Sequence, residues 1–495
     1  MLFNSINFLI FFPVVTLIYF VLPRKIKNYW LLVASYFFYM CWNPKYILLL
    51  LTSTFVTYLS GLAIERIKQQ KYDTVIERKY KNYVVAASFT INIGLLFYFK
   101  YINFALEVLE SVFGAIGITL NIPAFDIVLP VGISFYIFQA LSYTMDVYRD
   151  EIYAEKNFFR YALFVSFFPQ LVAGPIERSK NLLRQLAEPK CYDYDNVRTG
   201  LLTMLWGYFI KIVLADRLGI LVDTVYANPD AYHGMQVILA NLGFTLQIYC
   251  DFMGYSIIAR GAAKVLGYNL MSNFEMPYFA NSIRDFWRRW HISLSSWLRD
   301  YLYIPLGGNR RGLGRKYFNL LLTFFVSGLW HGASITFVVW GLFHGICQVI
   351  EDLFRQRFGV IKDRIQTRHL AIAWNGINVF KTFIIAAIGW VFFRADTLRQ
   401  AVRILRSSLI LDNVRSTLSL DGLSALSIGK YDLIIILIGI LLLVVVSIMR
   451  EKKINVIEWV SARFFFVRYP MYWLVLTMIL FSLDLTGKEF IYFQF

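Results

Sequence analysis

Two histidines in this chain stand where an imidazole could do chemistry. His331 lies in Ser327-Gly328-Leu329-Trp330-His331-Gly332-Ala333, inside a run, 317–347, without Asp, Glu, Lys or Arg. An imidazole at membrane depth is costly without a partner, and titratable groups there mark pathways or reaction sites. His291 lies in NSIRDFWRRWHISLSSWLRD, residues 281–300. Histidine titrates near neutrality and suits general-base work. One imidazole taking the proton of an acceptor hydroxyl, with a second group holding the developing oxyanion, gives acyl transfer from a thioester to an alcohol. A membrane transporter or polysaccharide exporter would use the same residues. Lys211 and Lys381, isolated charges in apolar runs, keep that alternative open, although the sequence displays neither paired intramembrane charges nor repeated halves. No HExxH or similar short His/Asp/Glu spacing occurs, so no metal site is expected, and GxSxG and P-loop motifs are absent as well.

The elements around these histidines follow from periodicity. At about 100° per residue, Phe286, Trp297, Trp290, Ile283, Leu294, Trp287 and Leu298 share one arc of roughly 120°. Arg284, Asp285, Arg288, Arg289 and Arg299 fall outside it. The pattern predicts one amphipathic helix over 281–300 with a tryptophan-rich face, lying at the membrane interface. His291 would sit on the border of the two faces, between Trp287 and Ser295. Arg288 and Arg289 suit the phosphates of a nucleotide-like donor, and lipid phosphates would serve them equally.

The run 317–347 holds 31 residues, about 46 Å of helix, against a hydrocarbon core of about 30 Å. It is expected to break near Gly328, Gly332 and Ser334, leaving His331 at the break. His344 lies about 140° from His331 around an ideal helix and reads as packing. His233 and His369 read as surface residues.

Composition places the chain in a membrane. It is 58% hydrophobic and 16% charged, where soluble domains carry about 25% charge. Residues 6–22, 83–99 and 433–449 have no charge, and 30–42, 46–64, 127–145, 161–172, 237–249, 382–393 and 472–485 are further apolar runs. The expectation is an all-α polytopic protein with about ten to twelve transmembrane helices plus re-entrant or interfacial ones. The first segment lacks a basic n-region and precedes Arg24-Lys25-Ile26-Lys27, so it reads as a retained span. The net charge of +17 gathers in loops 24–27, 66–81, 310–316, 355–368 and 450–453. That is the positive-inside pattern, which puts these loops in the cytoplasm and the N-terminus outside. No nucleic-acid motif accompanies the charge. Cys41, Cys191, Cys250 and Cys347 lack metal or redox spacing and read as reduced packing residues. No linker divides the chain, so one membrane domain over 1–495 is expected, with its working part at about 125–350.

Five stretches together resemble the membrane-bound O-acyltransferases, in particular the bacterial branch that acetylates alginate and peptidoglycan and D-alanylates teichoic acid. They are LPVGISFYIFQALSYTMDVYR (129–149), FFPQLVAGPIER (167–178), QIYCDFMGYSIIARG (247–261), FWRRWHISLSSWLRDYLYIPLGGNR (286–310) and SGLWHGASITFVVWGLFHG (327–345). The resemblance implies tilted helices around a central tunnel, with His331 and His291 as catalytic residues. It places Arg288, Arg289, Trp330, Ser327, Asp251 and Tyr255 in a substrate- or donor-binding set. It implies an acyl-CoA donor, acetyl-CoA, and no cofactor. The acyl group would cross a bacterial cytoplasmic (inner) membrane to an extracytoplasmic polysaccharide, alginate-like or peptidoglycan, through a periplasmic or extracellular partner transferase. The ending Phe490-Ile491-Tyr492-Phe493-Gln494-Phe495 resembles the F-x-Y-x-x-F ending of this branch. Tyr492 would relay the acyl group, or serve as an aromatic anchor.

Overall fold

The computed structural model describes residues 1–70, 72–119, 123, 125–172, 174–358, 368–483 and 490–491. Among the described residues the chain is all-helical, without a strand. It packs as two compact units, Met1–Leu201 with Ala259–Met271, and Leu202–Ile258 with Ser272–Phe495.

The first unit contains α1 (Ile6–Val21), α2 (Arg24–Met40), α3 (Ile47–Gln69), α4 (Thr74–Leu96), α5 (Ile133–Tyr148), α6 (Phe158–Ser166) and α7 (Ser179–Leu186). Polar bonds pin its apolar helices together. Tyr161 donates to Thr57 Oγ1 at 2.7 Å, and Ser53 donates to Asn92 Oδ1 at 2.6 Å. A Cβ at Gly61 would meet the Tyr143 hydroxyl at 2.6 Å, so glycine is what allows α3 and α5 to approach.

The helix α8 (Tyr194–Tyr208) leads into the second unit. There it continues through a π segment, Phe209–Ala215, into α9 (Asp216–Ala227). Then come α10 (Met235–Val265), which belongs to the second unit up to Ile258, α11 (Ile283–Arg289), α12 (Ile292–Leu298), α13 (Gly312–His331), α14 (Ile335–Phe358), α15 (Arg368–Arg394), α16 (Lys430–Glu451) and α17 (Phe465–Ser482). The helices α13 and α14 form a close hairpin. A Cβ at Gly328 would lie 2.3 Å from the Phe337 carbonyl oxygen, and one at Gly341 would lie 2.3 Å from that of Phe324.

Seven helical stretches among the described residues are long and apolar enough to cross a membrane; they fall on α3, α4 with its continuation, α10, α14, α15, α16 and α17. The chain is a polytopic membrane protein. The larger number expected from sequence counted apolar runs that fold into shorter helices. The run at 161–172, for instance, contributes to α6, which has only 9 residues, about 14 Å of helix. Tyr161 to Ser166 are all buried, so this apolarity serves the protein interior.

Candidate functional site

The stretch 281–300 departs from the expected single helix. It forms α11 and α12, and His291 between them has φ +42° and ψ +55°, in the left-handed region. That conformation costs a non-glycine residue about 1–2 kcal/mol. Its surroundings impose it. Glu275 N–H donates to the Arg289 carbonyl at 3.0 Å, and Ile292 N–H donates to the Asn273 carbonyl at 2.9 Å. These two bonds strap the neighbours of His291 to the segment before α11. Backbone strain held in this way clusters at functional sites. The start of α11 is also fixed, by Ser282 Oγ accepting from Asp285 N–H and by Glu351 Oε2 accepting from Ile283 N–H at 2.8 Å.

The tryptophan-rich face does not lie at an interface. Trp287, Trp290 and Trp297 are buried. Trp290 packs 4.7 Å from the ring of Trp390 and 5.0 Å from that of Phe274. An amphipathic pattern records only that one face avoids water, and here protein covers it. His291 is correspondingly buried rather than on a wet border. Burial pushes its imidazole well below the usual value, to about 3, which keeps it neutral at physiological pH.

The long apolar run breaks where its small residues sit. His331 is the last residue of α13, Gly332 turns extended, and α14 begins at Ile335. A Cβ at Gly332 would lie 2.2 Å from the Phe337 ring, so that ring closes over the turn only because residue 332 lacks one. His331 is buried between Trp340, at 4.9 Å between ring centroids, and Phe393, at 5.3 Å. The two histidine rings lie 6.3 Å apart, and Trp330 stands 5.6 Å from His291. The separate elements therefore bring both imidazoles to one place. Ser327, one turn before His331, is buried as well. The ring wall of Phe252, Trp340 and Phe393 was not singled out from sequence, since apolar aromatics in a membrane chain look alike before they are folded.

The remaining candidates divide. Arg288 is exposed. Arg289 is engaged by Asp285 at 3.1 Å and Glu451 at 2.8 Å. Asp251 and Tyr255, on α10, face the chain's own C-terminal segment. Asp251 Oδ2 accepts from Ile491 N–H at 2.7 Å, and the Tyr255 ring lies 4.8 Å from that of Phe490. Tyr492 lies outside the described residues. His344 is buried among Trp287, Trp340 and Phe286, as a packing residue would be. His233 is half-exposed beside Asp412, and His369 is exposed. Cys41 and Cys191 are exposed, which corrects their reading as packing residues.

The two lysines that kept a transporter in view are not isolated. Lys211 pairs with Asp216 at 2.8 Å and Asp251 at 2.5 Å, and Lys381 pairs with Glu351 at 2.9 Å. These charge pairs are not visible in the sequence because the partners come together only in the fold.

With this geometry in hand, the relatives are informative. Residues 149–394 match the family model of MBOAT, the membrane-bound O-acyltransferase family. A probable alginate O-acetylase AlgI of Pseudomonas putida is 38% identical over 409 residues, covering 81% of this chain and 79% of that protein. A peptidoglycan O-acetyltransferase of Helicobacter pylori is 34% identical over 449 residues, 84% of this chain and 81% of that protein. A teichoic acid D-alanyltransferase of Bacillus subtilis is 29% identical over 226 residues, 42% of this chain and 55% of that protein. The chain belongs to the membrane-bound O-acyltransferase family, and it is an acyltransferase.

Proposed function

We propose that this acyltransferase takes an acetyl group from acetyl-CoA on the cytosolic side of a bacterial cytoplasmic membrane. It passes the group outward for O-acetylation of a cell-envelope polysaccharide, alginate-like or peptidoglycan, through an extracytoplasmic partner transferase. The names of the relatives support the acetyl group and the polymer class. The observation that carries the chemistry is the 6.3 Å approach of the His291 and His331 rings inside an aromatic enclosure.

In this reading His331 removes the proton from an attacking hydroxyl as its oxygen bonds to the thioester carbonyl carbon. His291, neutral because it is buried, donates a hydrogen bond to the oxyanion that forms. The carbon–sulfur bond then breaks, and the imidazolium of His331 returns its proton to the leaving CoA thiolate. The attacking hydroxyl is that of Tyr492, which holds the acetyl group as an ester until the partner takes it. Exposed Arg288 meets the donor phosphates, while buried Trp330 and Ser327 flank the thioester beside His331.

Tyr492→Phe tests the relay because it keeps the ring and removes the nucleophile. The purified chain is incubated with acetyl-labelled acetyl-CoA and the label is located by peptide mapping. The expected result is label on the C-terminal peptide of the parent chain and none on the variant. Polysaccharide acetylation that persists in cells carrying the variant contradicts the relay.

A further inference from the structure

We propose that the ion cluster of buried Lys211 and Asp251 with half-buried Asp216 is a latch that holds Phe490 and Ile491 against the ring wall of His291, making Asp251 a positioning residue for transfer; this rests on the reading of Tyr492 as acyl carrier. The two oxygens of the Asp251 carboxylate have different partners. Oδ1 lies 2.5 Å from Lys211 Nζ, and Oδ2 accepts from Ile491 N–H at 2.7 Å. A buried carboxylate needs both a counter-charge and hydrogen bonds. Here the lysine supplies the charge and a backbone amide 240 positions away completes the site. A bond from a neutral N–H to an ionised oxygen is among the stronger hydrogen bonds. A cluster serving only helix packing would have no reason to spend a carboxylate oxygen on the chain's far end.

The local backbone is shaped for this cluster. Lys211 and Asp216 are five residues apart, about 140° around an α-helix, and would not meet on one. They meet because Phe209–Ala215 is π-helical, a distortion that recurs at functional sites. A Cβ at Gly254 would lie 3.0 Å from the Lys211 amide nitrogen, so glycine lets α10 close on the π segment.

One ring separates latched Phe490 from His291. Phe490 and Ile491 are buried. The Phe490 ring lies 4.8 Å from Tyr255 and 5.6 Å from Phe252, and Phe252 stands edge-on to His291 at 4.7 Å. Ile491, the residue directly before Tyr492 in sequence, is the point that the latch fixes.

The test uses the full chain in membrane vesicles, with Cys41→Ser and Cys191→Ser removing the exposed thiols and Ile491→Cys introducing a reporter. Maleimide labelling of the reporter is slow while the segment is docked. In the combined variant Lys211→Met, Asp216→Asn, Asp251→Leu, which removes all three charges together, labelling is expected to rise at least tenfold. Acetyl transfer from labelled acetyl-CoA is expected to fall at least tenfold in kcat, with KM for acetyl-CoA unchanged. Asp251→Asn retains an acceptor oxygen for the amide and is expected to give intermediate labelling, so the idea stays testable if the combined variant folds poorly. Unchanged labelling in both overturns the latch, and faster labelling with unchanged transfer overturns the positioning role. Tyr492→Phe separates the two proposals, because it should abolish transfer while leaving the reporter protected. Transfer that survives Tyr492→Phe removes the relay and leaves the labelling result to judge the latch alone.

Discussion

At His331 the chain breaks among small residues, where Gly332 leaves room for the Phe337 ring and Gly328 lets α14 lie against α13. At His291 it breaks with no glycine or proline beside it, because the backbone bonds from Glu275 and Ile292 hold it there. The first break relaxes a run too long to span in one piece. The second interrupts a sequence whose apolar arc would have continued. One site is therefore assembled from a turn permitted by composition and a turn enforced by tertiary contacts. The enforced turn places a strained histidine 6.3 Å from the other.

Substitutions can break this contrast. The largest expected effect on stability is Gly328→Ala. Its Cβ would meet a backbone oxygen, which cannot move aside as a flexible side chain would. Overpacking of this kind costs about 1–3 kcal/mol, and thermal unfolding in detergent should read that loss. An unchanged melting temperature would mean that the hairpin does not depend on this close approach. A smaller effect with a diagnostic sign comes from comparing His291→Gly with His291→Ala. Both remove the imidazole and differ by one methyl group. In a helix interior alanine is the better residue by about 1 kcal/mol. At φ +42° the order reverses, because glycine adopts that region without penalty. The glycine chain should be the more stable by about 1 kcal/mol, and the opposite order would mean that the helix runs through residue 291.

The same contrast explains what the sequence could reveal. The length of the apolar run, its glycines and the lone imidazole were enough to place His331 at a break. The stretches around both histidines, through their resemblance to one family, named the two together as catalytic candidates. The break at His291 was hidden because periodicity reports which face avoids water and not whether lipid or protein covers it. The Lys211 cluster was hidden for two reasons. Its closest sequence spacing, five residues, works only on a π turn, and its remaining contacts lie on α10 and near the C-terminus. Among the described residues seven stretches have the length and apolarity of a span, while a run such as 161–172 instead supplies core residues, Tyr161 and Phe164 among them, of a short helix.

The central claim is that His291 and His331 serve one reaction, and a double-mutant cycle tests it most directly. Transfer of label from acetyl-labelled acetyl-CoA is measured in membrane vesicles for the parent chain, His331→Ala, His291→Ala and the double variant. Loss of a general base costs about 10²–10⁴ in rate, so His331→Ala should fall by that factor. Residues acting as a unit are strongly non-additive, so the double variant should be little slower than His331→Ala alone. Losses that multiply, or a His291→Ala chain that transfers at the parent rate, would contradict a shared site.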